Sequence, residues 1–246
     1  MASSSPSMFL YAQALAVKQL QGILGDPLAK RRHVYYTKLI TNGRKLHYAI
    51  FLFTLLNIIY EIFQRIYHMK AGSQVIILQE LVFSTVVFNV KHGLILLSLL
   101  TISRGMIHVV KTLICIPRPY ESFSNFVKSD KKKKDTYSFP SQSMQSVAIV
   151  YGAITRQWNL FYFYYTLLII IGVSRIYRGL HYPYDVCVSF FLGDYLQYYF
   201  IKKSFENDMI FLVICIFAFC LKLYYYFFGY IKENLKKKNK KKKGGD

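Results

Sequence analysis

Five side chains suited to phosphate chemistry lie at the ends of apolar segments in the middle of the chain. Lys111 and Arg118 are seven positions apart, and Arg175, His181 and Asp185 follow in a second cluster. Arginine presents a planar set of donors that matches phosphate oxygens. A carboxylate close after a histidine can fix its tautomer and leave the other ring nitrogen to attack. These residues predict an anion site for a phosphate, with a nucleophile inside it.

Prolines indicate where the helices that carry these residues begin. Pro183 predicts a helix start that leaves His181 just before the first turn and Asp185 within it. Pro140 and Ser141 predict another helix start, whose free amides and positive dipole end suit a phosphate. Helix starts of this kind are common, so Ser141 alone does not specify a site.

A polar stripe precedes the first cluster. Arg104, His108 and Lys111 fall at i, i+4 and i+7 and therefore share one face of a helix. Such a stripe is expected to face the protein interior rather than lipid. For Lys111 alone, the alternative is a cation that snorkels to the membrane interface.

Composition predicts an integral membrane protein. Hydrophobic residues make up 54% of the 246 residues and aromatic residues 17%, and they come in long unpatterned runs. A run of about 20 apolar residues spans a bilayer as a helix, and helices close their own backbone hydrogen bonds in lipid. We expect an all-α, polytopic membrane helical bundle.

Three regions are expected along the chain. Residues 1–45 form a basic lead-in with a possible interfacial helix, 46–230 a membrane domain, and 231–246 a lysine-rich disordered tail. With the lead-in on the cytoplasmic side and three spans before Arg118, the phosphate site would face the lumen or exterior. The predicted apolar segments are 46–66, 75–90, 93–115, 141–156, 159–176, 184–201 and 209–230.

The net charge of +20 does not indicate a nucleic-acid partner, because eleven of the 32 basic residues lie in the lysine runs 131–134 and 236–243. These runs predict a solvated loop and tail, or attraction to anionic head groups worth about 1 kcal/mol per residue. The four cysteines all lie in apolar segments without metal-type spacing. No metal site is predicted, and no feature indicates an oligomeric state.

Three motifs follow one another from Lys111 to Asp185: Lys-x6-Arg-Pro, then Pro-Ser, then Ser-Arg-x5-His-x3-Asp. In this order they resemble the type 2 phosphatidic acid phosphatase superfamily, membrane lipid phosphatases with a six-helix core, related in their site to vanadium haloperoxidases. A haloperoxidase is disfavoured, because those enzymes are generally soluble. The seven predicted segments would add one C-terminal span to that core.

The resemblance also implies residue roles. Lys111, Arg118 and Arg175 would hold the phosphate with help from Ser141, and His181 would form a phosphohistidine oriented by Asp185. No metal or other cofactor would be needed, since positive side chains stabilise the charge. The substrate would be a membrane lipid phosphate, and the family analogy suggests the endoplasmic reticulum.

The second motif departs from the family. Where the family usually has Pro-Ser-Gly-His or Pro-Ser-Thr-His, this chain has Pro140-Ser141-Gln142-Ser143. The missing histidine is the general acid that protonates the departing alcohol, a contribution of about 10²–10⁴-fold. A serine hydroxyl is too weak an acid to replace it.

Three interpretations follow from this gap. The substrate is a lipid diphosphate such as an isoprenoid diphosphate, whose leaving phosphate departs without a proton. Alternatively, it is a phosphomonoester such as a sphingoid phosphate or phosphatidate, with His108 as a candidate donor unless that side chain is simply an interior histidine. In the third interpretation the protein is a lipid-phosphate binder or scaffold that turns over slowly or not at all.

Overall fold

The computed structural model describes residues 7–25, 42–68, 75–129 and 137–243. Within these ranges the chain is helical and contains no strand, which confirms the all-α expectation. The helices are α1 Met8–Leu24, α2 Gly43–His68, α3 Val75–Ile114, α4 Pro119–Ser122, α5 Gln142–Gln157, α6 Phe161–Tyr177, α7 Pro183–Glu206 and α8 Asp208–Lys243.

The second and third predicted apolar segments form a single helix. α3 runs without interruption for 40 residues, so the predicted division into segments 75–90 and 93–115 is wrong. The described chain therefore has six long helices in the predicted membrane region, α2, α3, α5, α6, α7 and α8, instead of seven. The last of them, α8, completes a six-helix set rather than adding a further span to it.

The polar residues predicted to break α3 serve packing instead. Lys91 forms an ion pair with Asp208 at the start of α8 and lies over the rings of two phenylalanines. Gly93 allows α2 to approach closely, because a Cβ there would lie 2.8 Å from Thr54 Oγ1. A charged residue that finds a partner on a neighbouring helix does not need to end the helix.

α5 is the central helix of the bundle, and it packs against α2, α3, α6 and α7. Its closest approach is to α7, where a Cβ on Gly193 would lie 2.7 Å from the Gln145 carbonyl oxygen. A core of aliphatic side chains joins α5 to α2 and α3, with Leu46, Ile50 and Ile149 among its fully buried members. This core joins the second half of α5 to the middle of α3.

The C-terminal helix packs along α3 and also contacts α7. α8 continues to Lys243, so the described part of the lysine-rich tail is helical. Lysine is a good helix former, and neither proline nor glycine interrupts the tail before Gly244.

Among the described residues, two helical stretches are long and apolar enough to cross a bilayer, Arg44–Gln64 and Thr85–Ile114. Large apolar side chains also cover the outer faces of α2 and α6; Phe51 is 69% exposed and Tyr162 is 93% exposed. A continuous apolar surface of this kind is typical of contact with lipid or with another protein.

Candidate active site

Four helix ends meet at one end of the bundle. α3 ends and α5 begins there, and α6 ends where the short loop to α7 starts. The segment before α5 pairs with the segment after α3, because the Ser138 amide donates to the Ile116 carbonyl at 2.7 Å and Pro117 forms a bridge pair with Tyr137. The three sequence motifs are thereby brought to one place.

His181 and Asp185 form the centre of this region. α7 begins at Pro183, as predicted, with His181 before its first turn and Asp185 inside it. His181 Nδ1 lies 3.6 Å from Asp185 Oδ2, slightly longer than a hydrogen bond. His181 is 2% exposed and Asp185 is fully buried. A small movement of the ring would close the bond that orients the imidazole.

The aspartate is itself held by two donors. Asp185 Oδ2 accepts a hydrogen bond from Ser138 Oγ and another from the Tyr182 amide at 3.0 Å. The second bond belongs to the start of α7, where the carboxylate caps its own helix. Sequence analysis did not identify Ser138. A polar residue two positions before a helix-starting proline was the only available signal.

The arginines of the first and third motifs are buried in the same region. Arg118 is 1% exposed, and its Nη1 donates to the Leu180 carbonyl, next to His181, at 2.8 Å. Arg175 is 4% exposed at the end of α6. Buried guanidinium groups are costly unless anions or carbonyls compensate them. The burial of Arg118 beside His181 is what an oxyanion ligand would require.

Lys111 approaches the site from α3. Its Nζ donates to the Tyr137 carbonyl at 2.9 Å, and the next residue, Ser138, bonds Asp185. The charges of Lys111 and Arg118 both act on the His181 imidazole. The sequence-predicted residues Lys111, Arg118, His181 and Asp185 are thus neighbours.

The start of α5 places the second-motif residues at this site. Ser141 is the N-cap residue of α5 and is fully buried, and its Oγ has no hydrogen-bond partner among the described residues. Its amide is occupied, because it donates to Ser189 Oγ at 2.7 Å. Gln142 is exposed and Ser143 half-buried. The hydroxyl of Ser141, rather than its amide, is the group that remains for a ligand.

Burial determines the charge state of His181. It lowers the pKa of the imidazole to about 4, because a buried site disfavours the protonated form. The neighbouring Asp185 opposes this shift, and Arg118 and Lys111 reinforce it. His181 is therefore neutral at pH 7, the form in which a ring nitrogen can attack phosphorus.

Two adjoining cavities open beside the site. The larger, about 1070 Å³, is lined by Lys111, His108 and Gln142 together with apolar side chains of α2 and α3. The smaller, about 390 Å³, is lined by Ser143, Gln142 and three basic residues. His108 therefore faces the larger cavity on the same side as Lys111. Sequence analysis did not anticipate the contribution of α2 to either cavity.

Helix α1 braces the loop that carries His181. Gln21 Nε2 donates to the carbonyls of Tyr177 and Lys128, each at 2.8 Å, and the Lys128 amide donates back to Gln21 Oε1 at 3.1 Å. Gly179 lies between them with φ of 63°, and a Cβ there would meet the Lys128 carbonyl oxygen at 2.7 Å. This tight crossing fixes the path of the chain into His181.

Within the described ranges, no group of three His, Cys, Asp or Glu side chains lies close enough to hold a metal ion.

The fold and site are those of a helical bundle in which Arg118 and Lys111 lie near a buried histidine. Residues 92–209 match the family model of the PAP2 superfamily. The chain belongs to this superfamily, whose members are generally phosphatases. No curated protein and no solved structure matches the chain.

Proposed function

We propose that the protein is an integral membrane phosphatase that removes phosphate from a lipid phosphate or diphosphate through a phosphohistidine on His181. The observation that carries the proposal is the buried His181 imidazole beside Asp185 Oδ2, with Arg118 bound to the adjacent carbonyl. This arrangement combines a nucleophile, the group that orients it and a cation within one buried cluster.

In the proposed complex, cations and one hydroxyl hold the phosphate. Arg118 and Arg175 offer paired donors to its oxygens, Lys111 adds a point charge, and the Ser141 hydroxyl donates a further hydrogen bond. Because these groups are fixed by the fold, they would stabilise charge developing on the oxygens without reorganisation.

The reaction proceeds in two displacements. His181 Nε2 forms a bond to phosphorus while the bond from phosphorus to the leaving oxygen breaks and its electron pair leaves with the lipid. Nδ1–H turns toward Asp185, which stabilises the positive ring. Water then attacks phosphorus, the P–N bond breaks, and the electron pair returns to Nε2. The products are inorganic phosphate, which keeps the oxygen and one proton of the water, and free enzyme. The second proton goes to solvent, or ends on the departing alcohol when the substrate is a monophosphate.

The absence of the second-motif histidine favours a lipid diphosphate as substrate. Its leaving group is a phosphate ester, which needs no proton at the moment of departure. The family has its general acid at the position of Ser143. With a diphosphate substrate, the serine there would not slow departure of the leaving group. Hydrolysis of a monophosphate would need another donor, for which His108 is a candidate on the cavity wall.

The helix count bears on orientation in the proposed membrane. With two long helices, α2 and α3, before Arg118, the site lies on the same side as the basic lead-in. Six long helices also return the lysine tail to that side. The basic lead-in, the lysine run 131–134 and the lysine tail can then all be cytoplasmic, as the positive-inside tendency favours. The endoplasmic reticulum remains a prediction from the family resemblance.

A second candidate function is a lipid-phosphate binder without turnover, and Ser143 at the acid position is the observation that favours it. The two functions differ in their covalent chemistry. Only the enzyme forms phosphohistidine.

Detergent-solubilised protein separates the two. We expect phosphate release from isoprenoid diphosphate, faster than from phosphatidate, and acid-labile label on His181 after a rapid quench. His181→Ala should abolish both, with size-exclusion behaviour as the check on folding. Absence of release and of label from every lipid tested would overturn the enzyme proposal. Monophosphate turnover equal to or faster than diphosphate turnover would overturn the leaving-group argument.

A further inference from the structure

We infer that the smaller cavity is a second anion subsite, which binds the leaving phosphate of a lipid diphosphate through Arg104, His47 and Arg44. The inference rests on the proposed function and specifies its substrate class. It assigns a role to residues of α2 that lie outside the three motifs.

Its lining carries one sign of charge. Arg44 and His47 from α2 and Arg104 from α3 face the cavity together with Ser143, and no carboxylate is among the lining residues. Lys222 of α8 adds a further cation to the larger cavity next to it, which also has no acidic residue in its wall. A concave, low-dielectric wall of one sign concentrates counter-ions of the other sign.

Arg104 is the residue that most needs an anion. Its Nε is buried and has no hydrogen-bond partner within the described part of the chain. It also lies in the apolar stretch Thr85–Ile114. An arginine in such a helix is costly and marks an ion or substrate path when it faces a cavity. Arg104 lines both cavities, so its guanidinium faces shared space.

The subsite lies next to the phosphate site. Arg104 and Lys111 are seven residues apart on one helix face, roughly 10 Å along the axis. Their long side chains shorten that gap, and Gln142 lines both cavities between them. The path from one anion position to the other is therefore continuous.

Ser143 gives the subsite its chemical meaning. In the family that the sequence resembles, the residue at this position faces the leaving group. In this chain that residue lines the smaller cavity together with Arg44, His47 and Arg104. When the bond between the terminal phosphorus and the bridging oxygen breaks, the electron pair stays on that oxygen as part of a lipid monophosphate. Cations stabilise this charge directly, whereas an alkoxide would need a proton. The cations of the cavity would thus stabilise the negative charge of the leaving group, so that no acid is needed to protonate it.

Binding measurements test the subsite without requiring turnover. The probes are methylenediphosphonate, a non-hydrolysable diphosphate, and methylphosphonate, measured by calorimetry on the whole protein in detergent. We expect the wild type to bind the diphosphonate at least about tenfold more tightly, because one charged hydrogen bond contributes about that factor. Arg104→Gln should bring the two affinities close to each other, and Arg104→Lys should restore part of the difference.

The control variant is Lys202→Gln, which removes one exposed cation near the far end of α7. It should leave both affinities unchanged. Methylphosphonate binding also reports that each variant is folded, because it depends on the first site. If Arg104→Gln no longer binds either probe, the two affinities are compared in Arg44→Gln and His47→Gln instead.

Equal affinity of the wild type for the two probes overturns the subsite, as does a preference that survives Arg104→Gln or both α2 variants. A His47→Gln variant that loses monophosphate hydrolysis selectively also overturns it, because His47 would then be a proton donor. Failure of the wild type to release phosphate from any lipid would instead overturn the proposed function, and the binding comparison would still decide whether the subsite exists.

Discussion

Ser138 Oγ donates a hydrogen bond to Asp185 Oδ2, the same oxygen that faces the His181 ring. The two residues are 47 positions apart, and the bond joins the segment before α5 to the first turn of α7. A carboxylate held in this way keeps its orientation toward the imidazole when the ring becomes positive. In metal sites, the loss of a comparable supporting partner typically costs about 10–100-fold in affinity or activity.

Replacing Ser138 should therefore impair the proposed reaction without removing a catalytic group. We expect Ser138→Ala to lower kcat about tenfold with little change in KM, because Asp185 loses one charged hydrogen bond. Asp185→Asn should cost more, about a thousandfold, since the orienting charge itself is lost. Steady-state kinetics on a lipid diphosphate measures both effects.

The matched control is Ser124→Ala, which removes an exposed hydroxyl from the turn after α4. It should have no effect on kcat. A Ser138→Ala variant with wild-type kcat would show that Asp185 does not need this donor.

Gly179 provides a test of the chain path into His181. Its φ of 63° and the 2.7 Å approach of the Lys128 carbonyl to a Cβ predict that Gly179→Ala destabilises the fold by about 1–2 kcal/mol. The displaced loop should also reduce phosphate release. Gly22→Ala is the control, because a Cβ there meets nothing within 4 Å. The alanine should be neutral or slightly stabilising in helix α1, and thermal unfolding in detergent compares the two.

The neutral state of buried His181 predicts an unusual acid limb in the pH profile. Its pKa of about 4, against 6.5 for an unperturbed histidine, means that kcat/KM should hold down to about pH 5 and fall only near 4. A limb centred near 6.5 would contradict a buried neutral nucleophile. The measurement is kcat/KM for phosphate release as a function of pH between 4 and 8.

The same shift links His181 to stability. Between pH 6.5 and about 4 the unfolded chain binds a proton that the folded protein does not. The free energy of unfolding should therefore decrease as pH falls through this window. His181→Gln should remove this contribution, so that its Tm drops less than that of the wild type between pH 7 and 5. Equal drops would mean that His181 is protonated in both states or in neither.

The sequence predicted helix starts better than helix continuity. Pro183 indicated the start of α7 correctly, because proline at the first helical position acts through local backbone geometry alone. Lys91 and Gly93 looked like a break, but their partners Asp208 and Thr54 come from other helices. Charge and glycine content cannot distinguish a loop from a polar contact inside a bundle.

The site residues likewise fall into those that the sequence indicated and those that only the structure revealed. Lys111, Arg118, His181 and Asp185 stand in recognisable spacings, and the fold brings them together. Ser138 and His47 have no such spacing, because each reaches its neighbours only through tertiary packing of the segment before α5 or of α2. Residues that support or extend a site from a different element leave no periodic pattern in the chain.

Gln21 supplies the last prediction, since it links α1 to the loop that carries the nucleophile. Gln21→Leu keeps the approximate volume but removes three hydrogen bonds to the backbone of Tyr177 and Lys128. The bond to the Tyr177 carbonyl is buried, and its loss should cost about 1–3 kcal/mol before relaxation. The two bonds to Lys128 are partly exposed and should contribute less. We expect a lower Tm and a reduced kcat. Gln13→Leu removes only one longer bond, 3.4 Å from the Tyr184 amide, and should have a smaller effect on both. If the two variants behave alike, α1 supports the site by apolar packing and the Gln21 bonds contribute little.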